Sequence, residues 1–153
     1  MDLILWRHAE AQDAAEGQDD TTRVLTSRGE KQAARMAHWL DRQLPEGARV
    51  LISPARRCEQ TARALERKYK VRPELAVGGT VDQLLEAAQW PHGKATVLIV
   101  GHQPVLGQAI ARLLGLSASE CVVKRGAVWW LRNRERGALS QTVVVTVQSP
   151  EVM

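Results

Sequence analysis

The sequence predicts an α/β fold: a three-layer sandwich with a mostly parallel central sheet and an antiparallel C-terminal hairpin strand. Three observations carry that expectation. Apolar runs of strand length stand at residues 3–6 (LILW), 48–53 (ARVLIS) and 95–100 (ATVLIV). The last is uninterrupted, as in a strand buried on both faces. Segments with helical spacing separate these runs, the alternation that builds a parallel sheet with helices on both sides. The tail departs from this rhythm, because AVWWLRN and LSQTVVVTVQ flank RERG, which reads as two antiparallel strands around a four-residue turn.

Leu3–Trp6 is the first strand. Residues 11–25, AQDAAEGQDDTTRVL, are polar and carry Gly and Asp, so they read as a loop. Ser27 with Glu30 has capping-box spacing, and Ala33, Met36, Ala37, Leu40 and Leu44 recur at helical intervals. This helix runs to about Gln43, where Pro45 and Gly47 end it. After the second strand, Ser53-Pro54 supplies an N-cap and a first-turn proline for a helix to about Tyr69. A weaker third strand spans Val71–Leu75, followed by a Gly-Gly turn. Thr80 with Gln83 caps a short helix to about Gln89. Gly101-His102-Gln103-Pro104 turns the strongest strand into a helix that stops at Gly115. No repeat or linker divides the chain, so residues 1–153 are expected to form a single domain.

Composition narrows the function classes. Of 153 residues, 44% are hydrophobic and 25% charged, as in an ordinary globular chain. A net charge of +4 suits anionic partners. No run of five or six like charges and no aromatic–basic interleaving marks a nucleic-acid binder, however. Nothing approaches a membrane span, and the short N-terminal apolar run, preceded by Asp2, does not read as a signal peptide. Cys58 and Cys121 form no CxxC pair, so a reduced, cytoplasmic protein is expected, with a monomer as the simplest state. Phe is absent while Trp occurs five times, a bias with no functional account.

The chemistry lies at the strand ends. Strand one runs into Arg7-His8, strand two into Ser53-Pro54 with Arg56 and Arg57 just beyond, and the 95–100 strand into Gly101-His102. Ligands of open parallel sheets bind beyond the carboxyl ends of the strands, so two histidines and at least one arginine should converge there. Such a pocket suits a phosphoryl group: guanidinium forks match its oxygens, and a neutral imidazole can attack phosphorus to form a covalent phosphohistidine. One histidine at a strand end is more often structural than catalytic. Three such ends in succession point to a site.

Other chemistries fail on spacing. Cys58 and Arg63 give C-x4-R, one residue short of the loop that cysteine phosphatases need. No DxDx[TV] and no G-x-x-x-x-G-K-[ST] is present. The four histidines, at positions 8, 38, 92 and 102, offer no HxxxH pair, so no metal and no cofactor is expected. His38 and His92 read as structural or exposed.

These residues carry a resemblance. LWRHAE is similar to the Arg-His-Gly signature of the histidine phosphatase (phosphoglycerate-mutase-like) superfamily. SPARRCEQTA resembles its Ser-Pro-x-x-Arg-x-x-Gln-Thr block, and VGHQP its Gly-His turn. Leader LILWRHAEA, segment RVLTSRGEKQA and the PEL stretch at Pro73–Leu75 resemble the SixA-type phosphohistidine phosphatase branch. The resemblance implies a phosphoglycerate-mutase-like fold and a metal-independent phosphatase. It makes His8 the nucleophile, has Arg7 and Arg57 hold the phosphoryl oxygens, and lets His102 complete the pocket. Arg57 stands four residues after Ser53, as in the family pattern, leaving Arg56 on the rim.

Three departures matter. Ala9 replaces the family glycine, Ala14 stands where the mutases have asparagine, and a firm general acid is missing. Glu74 is the candidate acid, with Asp82 the other carboxylate in that stretch. A missing acid favours a P–N substrate, since an imidazole already protonated on its other nitrogen leaves as a neutral molecule. The implied partner is a phosphorylated protein, such as a histidine-containing phosphocarrier. The alternatives are a broad small-molecule phosphomonoesterase and a non-catalytic phosphoprotein-docking module. No nucleic acid or membrane is implied. Lys124 and Arg125, with Arg23 a weaker candidate, are suited to attract an acidic phosphoprotein surface.

Overall fold

The computed structural model describes residues 1–153. Strands β1 (Asp2–Arg7), β2 (Arg49–Ile52), β3 (Lys70–Val71), β4 (Val97–Gly101), β5 (Val128–Arg136) and β6 (Leu139–Gln148) form one sheet in the order β3-β2-β4-β1-β5-β6. The β3-β2-β4-β1 portion is parallel, and β5 runs antiparallel to both β1 and β6. The helices are α1 (Ser27–Gln43), α2 (Arg56–Arg63), α3 (Val81–Ala88) and α4 (Val105–Leu114). None is long and apolar enough to cross a membrane.

Strand alternation sorts the apolar side chains into two cores. Ile4 and Trp6 pack with Met36 and Leu40 of α1 and with Cys58 and Ala62 of α2. Leu3 and Leu5 turn the other way, toward Leu84 of α3 and Leu106 and Ile110 of α4. The sheet is therefore the middle of three layers. Every residue of β4 is buried, which is why that segment shows no polar alternation. Trp6 is fully buried and satisfies its indole N–H on the Gly126 carbonyl at 3.1 Å. Burial of a ring this size contributes about 4 kcal/mol at about 25 cal/mol per Å². Trp130 packs edge-on against Trp39, with centroids 6.3 Å apart, and donates to Asp2.

Four local expectations are corrected by tertiary contacts. Thr26 caps α1, its hydroxyl accepting from Gly29 N at 2.9 Å, so the Ser27–Glu30 box does not form. A Cβ at Gly29 would lie 2.0 Å from the Glu10 carbonyl, and glycine thereby lets α1 abut the chain just past His8. Helix α2 stops at Arg63 rather than near Tyr69. Arg67 pins the segment after it onto the end of α1, donating to Pro45 O at 2.7 Å, to Leu44 O at 3.2 Å and to Asp41. Tertiary anchoring here overrides helix propensity.

Strand β3 covers only Lys70–Val71, after which Pro73–Leu75 form a 3-10 turn. The hairpin is tighter than RERG suggested. Residues 134–136 continue β5, and the turn falls at Gly137-Ala138, with Gly137 at φ 59°. The Thr80–Gln83 capping box forms as read, and Gly115 ends α4 in the left-handed conformation.

Candidate active site

Strand register assembles the site. Trp6 pairs with Val100, and Val100 with Ile52, so these three residues share one row of the sheet. His8 N donates to Gly101 O at 3.1 Å and Ser53 N to Val100 O at 3.0 Å, extending the ladder one step into the loops. His8, Ser53 and His102 therefore emerge together at the carboxyl edge. The imidazoles of His8 and His102 lie 5.3 Å apart, centre to centre. Arg57, from the first turn of α2, completes the group. All three side chains are nearly enclosed, His8 being 7% exposed and Arg57 and His102 4% each.

The tautomer of His8 follows from its neighbours. Its Nδ1 lies 2.8 Å from the Ala9 carbonyl, which can only accept, so Nδ1 carries the proton. Nε2 is left with its lone pair and accepts from Arg57 Nε at 3.3 Å. Burial pushes the His8 pKa down to about 3, and the charges of Arg57 and Arg7 press the same way against the opposing Ala9 hydrogen bond. The ring is thus neutral and nucleophilic at ordinary pH.

His102 is turned the other way. Its Nδ1 faces Arg57 Nη2 at 3.5 Å, a group that can only donate, so Nε2 carries the proton and donates to Ser53 Oγ at 2.7 Å. Ser53 also accepts from Ala55 N at 3.2 Å, so its hydroxyl orients His102 where a helix N-cap was expected; Ala55 occupies the cap position. Burial, followed by the field of Arg57, lowers the His102 pKa to about 4. Cys58 Sγ sits 3.6 Å from the same Nε2, and burial raises its thiol to about 12, so it stays protonated.

Arg7 Nη1 donates to Val123 O at 2.8 Å, while its Nε is buried with no partner. Burial, with Arg125 nearby, lowers the Arg7 pKa. Arg57 is held from two sides. Its Nε and Nη2 face the two histidines, and Nη1 and Nη2 donate to Asp20 O at 2.8 Å and Asp20 Oδ2 at 3.0 Å. Thr61 Oγ1 joins two segments of the site by accepting from Ala9 N at 3.1 Å and donating to Arg57 O at 2.7 Å. Gln60 Oε1 accepts from Leu25 N at 2.8 Å, docking the end of the first loop on α2.

Asp20, Ser53 as the His102 partner, Gln60 and Thr61 join the site in roles that the sequence does not predict. Gln60 and Thr61 stand inside the SPARRCEQTA block, and Asp20 has i,i+3 spacing to Arg23; those were the available signals.

Of the other candidates, Glu74, Asp82 and His92 lie apart from this cluster and Arg56 is on the surface, whereas Arg23, Lys124 and Arg125 border it. The Glu74 carboxylate pairs with Arg72 and lines a separate depression with Gln83 and Glu86; no hydrogen bond links it to either histidine. Asp82 is exposed and pairs with Arg112 at 2.5 Å. Arg56 pairs on the surface with Glu59 at 3.6 Å. Arg23 binds Asp20 Oδ1 at 3.1 Å and Gln12 O at 2.6 Å. Lys124 and Arg125 are exposed on the segment whose Gly126 N donates to the carbonyls of Arg7 and His8. His92 lies near Glu135, 3.2 Å away, far from the cluster in the fold. No group of three or more His, Cys, Asp or Glu is arranged to hold a metal ion.

A neutral imidazole in contact with Arg57 and within the field of Arg7, at the mouth of a parallel sheet, suits phosphoryl transfer, and comparison with known proteins agrees. Residues 3–77 match the model of the histidine phosphatase superfamily (branch 1). The chain is 35% identical to the phosphohistidine phosphatase SixA of Escherichia coli, over 74% of each chain. It is 29% identical to a SixA homolog of Haemophilus influenzae, over 75% of this chain and 78% of that one. The solved structure of the protein histidine phosphatase SixA complexed with tungstate is 30% identical, covers 99% of both chains and superposes with a TM-score of 0.82. The chain belongs to the histidine phosphatase superfamily, in its SixA-type branch, and is a phosphatase.

Proposed function

We propose that this phosphatase removes phosphoryl groups from histidine side chains of proteins, with His8 as the nucleophile. The observation that carries the reading is the neutral His8 ring, its Nδ1–H fixed on Ala9 O and its Nε2 lone pair facing the Arg57 guanidinium. The names of the SixA relatives, and the tungstate (a phosphate-shaped oxyanion) held by one of them, support the same reading.

In the first step Nε2 of His8 attacks phosphorus and the P–N bond to the substrate imidazole breaks. That imidazole leaves neutral if its other nitrogen carries a proton, so no general acid is needed. His8 becomes a phosphoimidazolium, and its Nδ1–H bond to Ala9 O strengthens as positive charge develops. Arg57 and the unpartnered Nε of Arg7 bind the phosphoryl oxygens, while His102, its Nδ1 facing Arg57 Nη2 and its Nε2–H held by Ser53, keeps the guanidinium in place as charge shifts. In the second step water attacks phosphorus, the P–Nε2 bond breaks, His8 returns neutral with its Nδ1 proton, and inorganic phosphate carries away both hydrogens of the water.

Glu74 pairs with Arg72 apart from both histidines and would have to leave that partner to serve as the acid for a substrate with an oxygen leaving group. The test compares phosphate release from a phosphorylated histidine carrier protein with release from sugar phosphates and phosphoserine. The carrier should be turned over at least about a hundredfold faster in kcat/KM, a difference of about 2.7 kcal/mol in activation free energy. Equal or faster release from the phosphate esters would replace this reading with a small-molecule phosphomonoesterase.

A further inference from the structure

The loop between β1 and α1 bends back over the site, and one of its side chains grips the arginine that spans the two histidines. We propose that Asp20 is a positioning residue: it clamps the Nη1–Nη2 edge of Arg57 and so aims the Nε–Nη2 edge at His8 and His102. This inference rests on the function proposed above.

The two edges of the guanidinium are occupied by different partners. On the outer edge, Nη1 donates to Asp20 O at 2.8 Å and Nη2 to Asp20 Oδ2 at 3.0 Å. On the inner edge, Nε meets His8 Nε2 at 3.3 Å and Nη2 meets His102 Nδ1 at 3.5 Å. Asp20 therefore does not occupy the edge that a phosphoryl oxygen would use. A planar fork held along one side presents the other in a fixed direction.

Asp20 is itself placed by a built turn. It opens the 3-10 turn Asp20–Thr22, which Asp19 caps through Thr21 N at 2.9 Å. Its second carboxylate oxygen takes Arg23 Nη1 at 3.1 Å, and Arg23 Nε in turn holds Gln12 O at 2.6 Å. The base of the loop is closed by the Ala11–Leu25 bridge and by Gln60 on Leu25 N. The carboxylate thus reaches Arg57 from an ordered loop, although Asp20 is half exposed. A carboxylate in this position sets the direction of the arginine and repels an incoming dianion less than one on the inner edge would.

The experiment measures carrier-protein dephosphorylation, tungstate inhibition and thermal midpoint for wild type, Asp20→Ala and Asp20→Asn. Asp20→Ala should lose about tenfold in kcat and bind tungstate more weakly, with its midpoint little changed. Asp20→Asn, which keeps an oxygen acceptor for Nη2, should recover to within about threefold of wild type. Wild-type kcat in Asp20→Ala would overturn the proposal, as would tighter tungstate binding, the sign of a carboxylate that competes for the anion site. A midpoint drop with unchanged kcat in the folded enzyme would also overturn it, in favour of a purely structural contact. Failure of the wild-type enzyme to act on the carrier would instead count against the proposed function, so the two failures are distinguishable.

Discussion

Arg57 reaches the His8 ring directly: its Nε lies 3.3 Å from His8 Nε2, though 49 residues separate them in the chain. One buried guanidinium therefore spans the lone pairs of both imidazoles, and an arriving phosphoryl group would replace ring nitrogens with oxygens as the partners of its inner edge. The consequences can be tested residue by residue.

Ser53 holds His102 through a 2.7 Å hydrogen bond from Nε2, inside a fully buried pair of contacts. Ser53→Ala removes that acceptor and frees the ring to turn away from Arg57. Steady-state assays should show kcat lowered about tenfold, equivalent to about 1.4 kcal/mol, the worth of one buried hydrogen bond. Unchanged kcat would mean that packing alone orients His102.

Thr61 ties the backbone after His8 to the backbone of Arg57. Thr61→Val keeps the shape and leaves Ala9 N–H buried without an acceptor. Calorimetry should find about 2 kcal/mol of lost stability and a midpoint lowered by about 5 °C. An unaltered midpoint would remove Thr61 from the account.

The buried histidines should also make the fold acid-sensitive. His8 and His102 have folded pKa values lowered to about 3 and about 4, below the ordinary 6.5. Below pH 6.5 the unfolded chain binds protons that the folded chain refuses, so stability present above pH 6.5 drains as pH falls toward 4 and 3. Within that window each histidine removes roughly 1.4 kcal/mol per pH unit. Urea titrations at pH 7 and pH 5 should show wild type losing about 3 kcal/mol more than the His8→Asn/His102→Asn double variant. Equal losses would contradict neutral, buried rings, because the carboxylates contribute alike to both proteins.

Much of the site was legible because it is local. An apolar run followed at once by Arg7-His8, or by Gly101-His102, announces a strand that delivers polar groups at its end, and parallel pairing of β1, β2 and β4 does the rest. Helix α3 was equally readable, since Thr80 and Gln83 cap each other within one turn. What escaped depends on distant partners. Asp20 meets Arg57 across 37 residues from a loop with no periodic pattern, one carboxylate among several there. Thr61 and Gln60 bond to backbone groups 52 and 35 residues away, and no side-chain pattern records such partners. Ser53 has the composition of an N-cap, yet a histidine 49 residues on claims its hydroxyl. Helix α2 ends early for the same kind of reason, through Arg67 on the carbonyls of α1.

The most direct test of the account is to mix the enzyme with a phosphorylated histidine carrier, quench in base within the first turnover, and map the phosphoryl group by mass spectrometry. The account predicts an acid-labile, base-stable adduct on His8, bonded through Nε2, and no adduct or phosphate release from His8→Ala. Phosphate release by His8→Ala at the wild-type rate, or a phosphoryl group recovered on His102, would contradict it.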